Sequence, residues 1–271
     1  MDLDAYFARI GYRGKTEPTF ETLDGIMRAH VATIPFENLD VQLGRPVSND
    51  PSAIFDKLVT RRRGGWCYEQ NELLGWALQT LGFDVMRIAG GVMRAAMGDV
   101  VVGNHLALIV QLEERWLVDA GFGGSLASPI RFAEGGRSEA PYDVSLARIE
   151  DGWWRFEEIL GGNPFSFDFR DGHAEQALLD RQQHYLQTDE ASPFVLNLVA
   201  QRRIGDTHIT LRGRTFSLET ADGIDKRLIE DAAELVALLK DRFGLDVPEI
   251  ASCWPAICAR HEAVFATAPA S

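Results

Sequence analysis

The apolar positions fall into two regimes along the chain. Up to about residue 84 they recur three and four apart, the spacing that lines one face of an α-helix. In TLDGIMRAHVATIPF, Leu23, Ile26, Met27, His30 and Val31 share such a face, and Pro35 closes the run. DPSAIFDKLVTR opens on Asp50-Pro51, a helix start, and continues with Ile54, Leu58 and Val59. Behind Gly64 and Gly65, Leu74, Leu78 and Leu81 repeat at helical spacing. From Val85 the texture changes to short β-branched and apolar runs cut by glycines: DVMRIAGGVMR, DVVVGNHLALIVQL, RWLVDAGFGG, IEDGWWRFEEIL and PFSFDFR. Their regular spacing predicts strands in a barrel- or sandwich-like middle. In the last third, ASPFVLNLVAQRRIGDTHITLRGRTFSLET predicts strands turning at Gly205-Asp206 and Arg212-Gly213. IDKRLIEDAAELVALLKDRFG predicts a helix with Leu228, Leu235, Leu238 and Leu239 inward and Gly244 as its stop.

Composition narrows the function classes. The 271 residues carry a formal charge of −13, which argues against a nucleic-acid or anionic-membrane surface. A phosphate-bearing ligand therefore needs a local exception. No window approaches the roughly 20 apolar residues of a membrane span. The start, MDLDAYFARIGYRG, carries Asp2 and Asp4 and lacks the basic-then-apolar pattern of a secretory signal. Three cysteines, Cys67, Cys253 and Cys258, are too few and too odd for a disulfide framework. Reduced thiols in the cytoplasm are the expectation. Cys253 and Cys258 have no partner set for zinc and read as small buried hydrophobes near the C-terminus. No repeat, low-complexity tract or Gly/Ser linker interrupts the chain, so its parts are expected to pack tightly.

The chemistry concentrates at TRRRGGWCYEQN, where two glycines hand over to a helix at Cys67. Unpaired backbone N–H groups at a helix start favour a thiolate, the nucleophilic form. Gly64 and Gly65 let the backbone turn sharply and a substrate come close. Three arginines precede them, and their heads are expected to be exposed and to matter less than the helix dipole. The alternative is a plain buried cysteine. A nucleophilic cysteine needs a base, and the base an orienting group. NHLALIV puts His105 on a strand, sharing a face with Ala107 and Ile109. RWLVDAGFGG ends a strand in Asp119, a carboxylate that is expensive to bury without a partner. Each has a plainer reading, a satisfied strand histidine and a turn cap. The amides of Gly121, Gly123 and Gly124 would suit close approach to a pyrophosphate, unless the loop is only a strand-ending turn.

Geometry sets a condition on this pair. A two-residue loop at Glu113-Glu114 would pair Leu112 with Arg115 and send His105 and Asp119 to opposite faces. A shared site requires a bulge or an odd-length turn such as Leu112–Glu114, which makes His105 the diagonal neighbour of Asp119.

RGGWCYEQN (Arg63 to Asn71), IPFENLD (Ile34 to Asp40), NHLAL (Asn104 to Leu108) and VDAGFGG (Val118 to Gly124), in this order and spacing, resemble the bacterial arylamine N-acetyltransferases. Beyond the first half only SPF at Ser192 to Phe194 aligns. The resemblance implies an α+β fold in three parts. These are a helical domain over 1–84 carrying the nucleophile, a β-barrel-like domain over 85–190 carrying His and Asp, and an α/β lid over 191–271. It implies a papain-like thiol triad in which Cys67 is the nucleophile, His105 the base and acid, and Asp119 the orienting carboxylate. Acetyl-CoA would be a co-substrate, with no permanently bound cofactor and no metal. An arylamine, arylhydrazine or arylhydroxylamine would then take the acetyl group in a ping-pong cycle, with Phe36 and Phe194 as the apolar walls of its pocket. The protein would act as a monomer or weak homo-oligomer. A cysteine hydrolase, an amide synthase with the same triad and a non-catalytic thiol-binding module are the rival readings.

Overall fold

The computed structural model describes residues 1–124 and 126–265. Helices Leu3–Ile10 and Phe20–Thr33 open the chain, capped by Asp2, which accepts from the amides of Asp4 and Ala5, and by Thr19, which accepts from that of Thr22. Leu23, Ile26, Met27, His30 and Val31 are all buried, as their spacing predicts. Helix Pro51–Phe55 starts on an Asp50 cap and loosens into a π turn over Asp56–Thr60. Helix Cys67–Thr80 buries Leu74 and Leu78 completely, and Leu81 is its half-buried C-cap. Burying a leucine this fully contributes about 2–3 kcal/mol.

Among the described residues the strands form two antiparallel sheets. They are β1 (Phe36–Glu37), β2 (Asp84–Val92), β3 (His105–Gln111), β4 (Arg115–Val118), β5 (Ile130–Arg131), β6 (Gly135–Glu139) and β7 (Tyr142–Arg148). After them come β8 (Trp153–Leu160), β9 (Asn163–Arg170), β10 (Val199–Ile204), β11 (Thr207–Arg212), β12 (Thr215–Thr220) and β13 (Gly223–Leu228). An eight-stranded, curled sheet runs β5-β4-β3-β2-β9-β8-β7-β6, and a five-stranded sheet runs β1-β10-β11-β12-β13. The fold is α+β.

Helix Cys67–Thr80 lies directly on β3. A Cβ on Gly75 would sit 3.5 Å from both Leu108 methyl carbons, so a small residue there sets how near the two elements come. The β3–β4 turn decides which side chains face that helix. Gln111 pairs with Arg115 and Leu108 with Val118, leaving the three-residue turn Leu112–Glu114, closed by Leu112 N–H donating to Glu114 O at 2.8 Å. This is the odd-length turn that a shared face requires, and it brings Asp119 diagonal to His105.

The first and last thirds share a sheet. Phe36 pairs with Gln201 and Glu37 with Ala200. Asn38 completes the join: its Nδ2 donates to Phe194 O and Asn197 O, both at 2.8 Å, and its Oδ1 accepts from Val199 N–H at 2.8 Å.

Three local expectations are corrected. Leu228 is not on a helix; it pairs with Thr215 at the end of β13 and is 48 % exposed. The helix begins only at Ala232, where Asp231 caps it, and passes through the π turn Leu239–Phe243 to Gly244. Pro193–Leu196 is a short helix rather than a strand, because Pro193 at its first position and the Ser192 cap start a turn. Cys253 and Cys258 are half-buried, not core, and the Cys253 thiol donates to Gln42 O at 3.4 Å. No helix among the described residues is long and apolar enough to cross a membrane.

Candidate active site

The Gly64-Gly65 pair is needed for close approach. A Cβ on Gly64 would lie 2.2 Å from Pro35 O, and one on Gly65 would lie 2.7 Å from Glu69 Oε2. The two segments run side by side, with Gly65 N–H donating to Pro35 O and Glu37 N–H donating to Gly65 O. Glu69, in the first turn of the Cys67 helix, reaches back to accept from Trp66 N–H at 3.3 Å. Gln70 locks the same junction, its Nε2 donating to Pro35 O at 2.9 Å and Gly65 O at 3.2 Å. Its Oε1 must then accept from His30 Nε2, 2.6 Å away. That fixes the tautomer, and His30 Nδ1 accepts from the Tyr6 hydroxyl at 2.8 Å. Burial pushes the His30 pKa down to about 4, so the ring is neutral.

Beneath this junction lies a buried charge cluster. Arg63, contrary to expectation, is not exposed; it pairs with Glu37 at 2.8 Å and with Asp40 at 3.2 Å. Lys57 Nζ sits 2.9 Å from both Asp40 and Glu69 carboxylates. Burial pushes Asp40 upward, but Lys57 and Arg63 outweigh it and hold the carboxyl below its usual range. Removing one partner would leave a buried charge uncompensated, which costs about 3–5 kcal/mol. Of the three arginines before the glycines, Arg61 and Arg62 are exposed and Arg63 is not.

His105 and Asp119 meet as their register requires. Nε2 of His105 donates to Asp119 Oδ2 at 2.6 Å, and both side chains are nearly inaccessible. Nδ1 is then the ring nitrogen free of Asp119, and Cys67 is close enough to the imidazole to help raise its pKa. The Cys67 sulfur also lies 3.9 Å from Asn104 O. Burial disfavours charge on His105, but Asp119, and secondarily Cys67, more than reverse this and push its pKa up to about 10.

Asn71 ties the three carriers together. Its Nδ2 donates to Asp119 Oδ1 at 2.8 Å and to Leu106 O at 2.6 Å, and its Oδ1 accepts from Ala120 N–H at 2.9 Å. It lies four residues after Cys67, on the same helical face, and that spacing is the signal that would have marked it.

The glycine turn packs against this arrangement. A Cβ on Gly121 would meet Cys67 Cα at 2.6 Å, one on Gly123 would meet Gln201 Oε1 at 2.2 Å, and one on Gly124 would meet Arg203 Cβ at 3.3 Å. All three glycines are buried, with protein as their neighbour. Phe36 and Phe194 have ring centroids 6.0 Å apart and belong, with Trp66 and Val195, to the apolar cluster that contains Cys67. Phe122, inside the glycine turn, meets the His105 ring edge-on at 5.3 Å and stacks on Phe165 at 5.1 Å. Phe165 and Val195 line a cleft of about 810 Å³ between the two sheets, whose walls also carry Gln201, Arg212, Lys226 and Arg260. Neither Phe122 nor Phe165 stands out in the sequence, because each is one phenylalanine among apolar neighbours.

A family model for N-acetyltransferases matches residues 19–251. The chain belongs to the arylamine N-acetyltransferase family. It is an acyltransferase. The arylamine N-acetyltransferase of Mycolicibacterium smegmatis is 36 % identical over 259 residues, covering 93 % of this chain and 94 % of that one. The Escherichia coli K12 enzyme is 32 % identical over 261 residues, covering 91 % and 90 %. Among solved structures, the Mycobacterium marinum arylamine N-acetyltransferase in complex with CoA matches with a TM-score of 0.86. It is 32 % identical, over 97 % of this chain and 99 % of that one.

Proposed function

We propose that this acyltransferase moves an acetyl group from acetyl-CoA to an arylamine, arylhydrazine or arylhydroxylamine through an acetyl-Cys67 intermediate. The buried His105–Asp119 hydrogen bond, tied through Asn71 to the start of the helix that carries Cys67, is the observation that supports this reading. Cys67 is the nucleophile, and His105 takes up its proton as the sulfur attacks. The sulfur attacks the thioester carbonyl, the C–S bond to CoA breaks, and His105 gives its proton to the departing CoA sulfur. CoA leaves. The amine nitrogen then attacks the acetyl carbon, His105 takes the nitrogen's proton, and the Cys67 sulfur is released. Asp119 fixes the Nε2–H tautomer and balances the imidazolium each time it forms.

One site visited twice needs room for two unlike partners. Phe36 and Phe194 supply flat apolar walls for the aromatic acceptor. For the donor, Arg212, Lys226 and Arg260 in the cleft walls are the local basic exception that an acidic chain needs. The turn of Gly121, Gly123 and Gly124 contributes by fixing the approach beside Cys67. The reading carries a papain-like triad in three parts: a helical part over 1–84, a barrel-like part over 85–190 and an α/β lid over 191–271, of which the structure describes residues up to 265.

Mixing the protein with acetyl-CoA and no amine, then measuring intact mass and mapping peptides, tests the reading. One added acetyl group on Cys67 is expected, discharged when an arylamine is added. No label, or a label on Cys253 or Cys258, overturns it.

A further inference from the structure

The turn after Asp119 is held from outside the triad. Gly121 N–H donates to Asp119 Oδ1 at 2.8 Å, and Gly123 O accepts from His208 Nε2 at 2.7 Å. His208 lies 85 residues further on, in the middle of the five-stranded sheet, and is 1 % exposed. A carbonyl only accepts, so Nε2 carries the hydrogen and Nδ1 is left for other partners. Nδ1 sits 3.0 Å from Glu219 Oε2 and within hydrogen-bond reach of the Tyr142 hydroxyl. In the ladder His208 stands opposite Glu219 on β12 and opposite Arg203 on β10. The Arg203 guanidinium lies 6.0 Å from the Tyr142 ring centroid. Arg203, His208, Tyr142 and Glu219 are all buried. A buried polar network of this kind is stable only when its members satisfy one another. The acetyl-transfer steps use none of these groups. Yet Tyr142 and Glu219 are walls of the 810 Å³ cleft, as is Gln201, which presses on Gly123.

We propose that His208 is a positioning residue: backed by Glu219 and Tyr142, it pins the Gly121–Gly124 turn and thereby keeps Asp119 aligned on His105. The pin is built from the wall of the cleft. A ligand group that presses on Glu219 or Gln201 therefore bears on the alignment of the triad as well as on binding. The inference rests on the Cys67–His105–Asp119 reading above.

The test compares His208→Ala with His208→Gln, which can still present an amide N–H to Gly123 O. Two quantities are read: the maximal rate of Cys67 acetylation in single turnover, and the pH dependence of Cys67 alkylation by iodoacetamide, which does not depend on the cleft. His208→Ala is expected to lower the maximal acetylation rate about tenfold or more, the scale of a small misalignment. It should also change the alkylation profile, and His208→Gln should restore most of both. An unchanged profile and maximal rate in His208→Ala, with only more acetyl-CoA required, would make His208 a mere cleft wall and overturn the proposal. So would equal loss in the two variants. Should His208→Ala not fold, Glu219→Gln replaces it, and wild-type rate and profile there also overturn the pin. If wild-type Cys67 takes no acetyl group while His208→Ala still changes its alkylation, the acetyl-donor reading fails and the pin stands.

Discussion

Asp119 meets two sets of donors at once. Its Oδ2 takes the imidazole, and its Oδ1 takes Asn71 and the Gly121 amide. In Asp119→Asn, one of those oxygens becomes an NH₂ group facing a donor, whichever way the amide is placed. The fold should survive, since the side chain is nearly isosteric, but His105 loses its orientation and counter-charge. Cys67 acetylation should fall by orders of magnitude. A rate above about a tenth of wild type would make Asp119 a turn residue only. Cys67, His105 and Asp119 were readable in the sequence because each is a chemically narrow residue type at a punctuated place. Asn71 and His208 were not singled out, because their meaning lies in contacts made 48 and 85 residues away. The glycines after Asp119 were readable as a tight turn, but not as surfaces packed against Cys67, Gln201 and Arg203.

At the scale of elements, two glycines at the Cys67 helix make opposite predictions. Gly75 sits inside the helix with only ordinary contact distances around a Cβ. Gly75→Ala should therefore stabilise the protein by about 0.5–1 kcal/mol through helix propensity and leave acetylation unchanged. On Gly121 the same methyl meets Cys67 Cα, which is backbone and cannot swing aside. Gly121→Ala should displace the turn or the helix start and lower acetylation without a matching loss of thermal stability. Equal activity in both variants would show that the contact is slack. The helix registers were legible from periodicity, and parity made an odd-length β3–β4 turn the condition for His105 and Asp119 to share a face, which the Gln111–Arg115 pairing meets. The sequence did not announce the β6–β7 hairpin. β6, Gly135 to Glu139, is half-exposed and carries no apolar side chain at all, so no alternation marks it. Nor did it show that Leu228 would be taken by a ladder rather than by the helix that follows.

For the whole molecule, two buried histidines set opposite limits on stability against pH. His30 has its folded pKa depressed to about 4, so as pH falls below the unfolded value of about 6.5 the unfolded chain binds the proton first. Between pH 7 and pH 5 this costs roughly 2 kcal/mol. His105 has its folded pKa raised to about 10, and its stabilisation is fully present below about 6.5 and is lost as pH rises through 10. Below about 6.5 the His105 contribution is constant, so the acid limb is set by His30. Denaturant midpoints across pH should describe a dome with its top near neutrality. His30→Gln should flatten the acid limb, and Asp119→Asn the alkaline one. A curve that keeps both limbs in these variants would assign them to other groups.

The edge strand β1 has a further consequence for how the protein is made. Phe36 and Glu37, which flank the glycines leading to Cys67, find their sheet partners about 165 residues later, on β10. At the usual pace of synthesis the ribosome needs roughly ten to thirty seconds to supply them. During that interval the segment beside Cys67 has no sheet to join, and Asn38 lacks the backbone groups of Phe194, Asn197 and Val199 that anchor it. Cys67 is translated early but enclosed late, so an interrupted chain carries the thiol without its shelter.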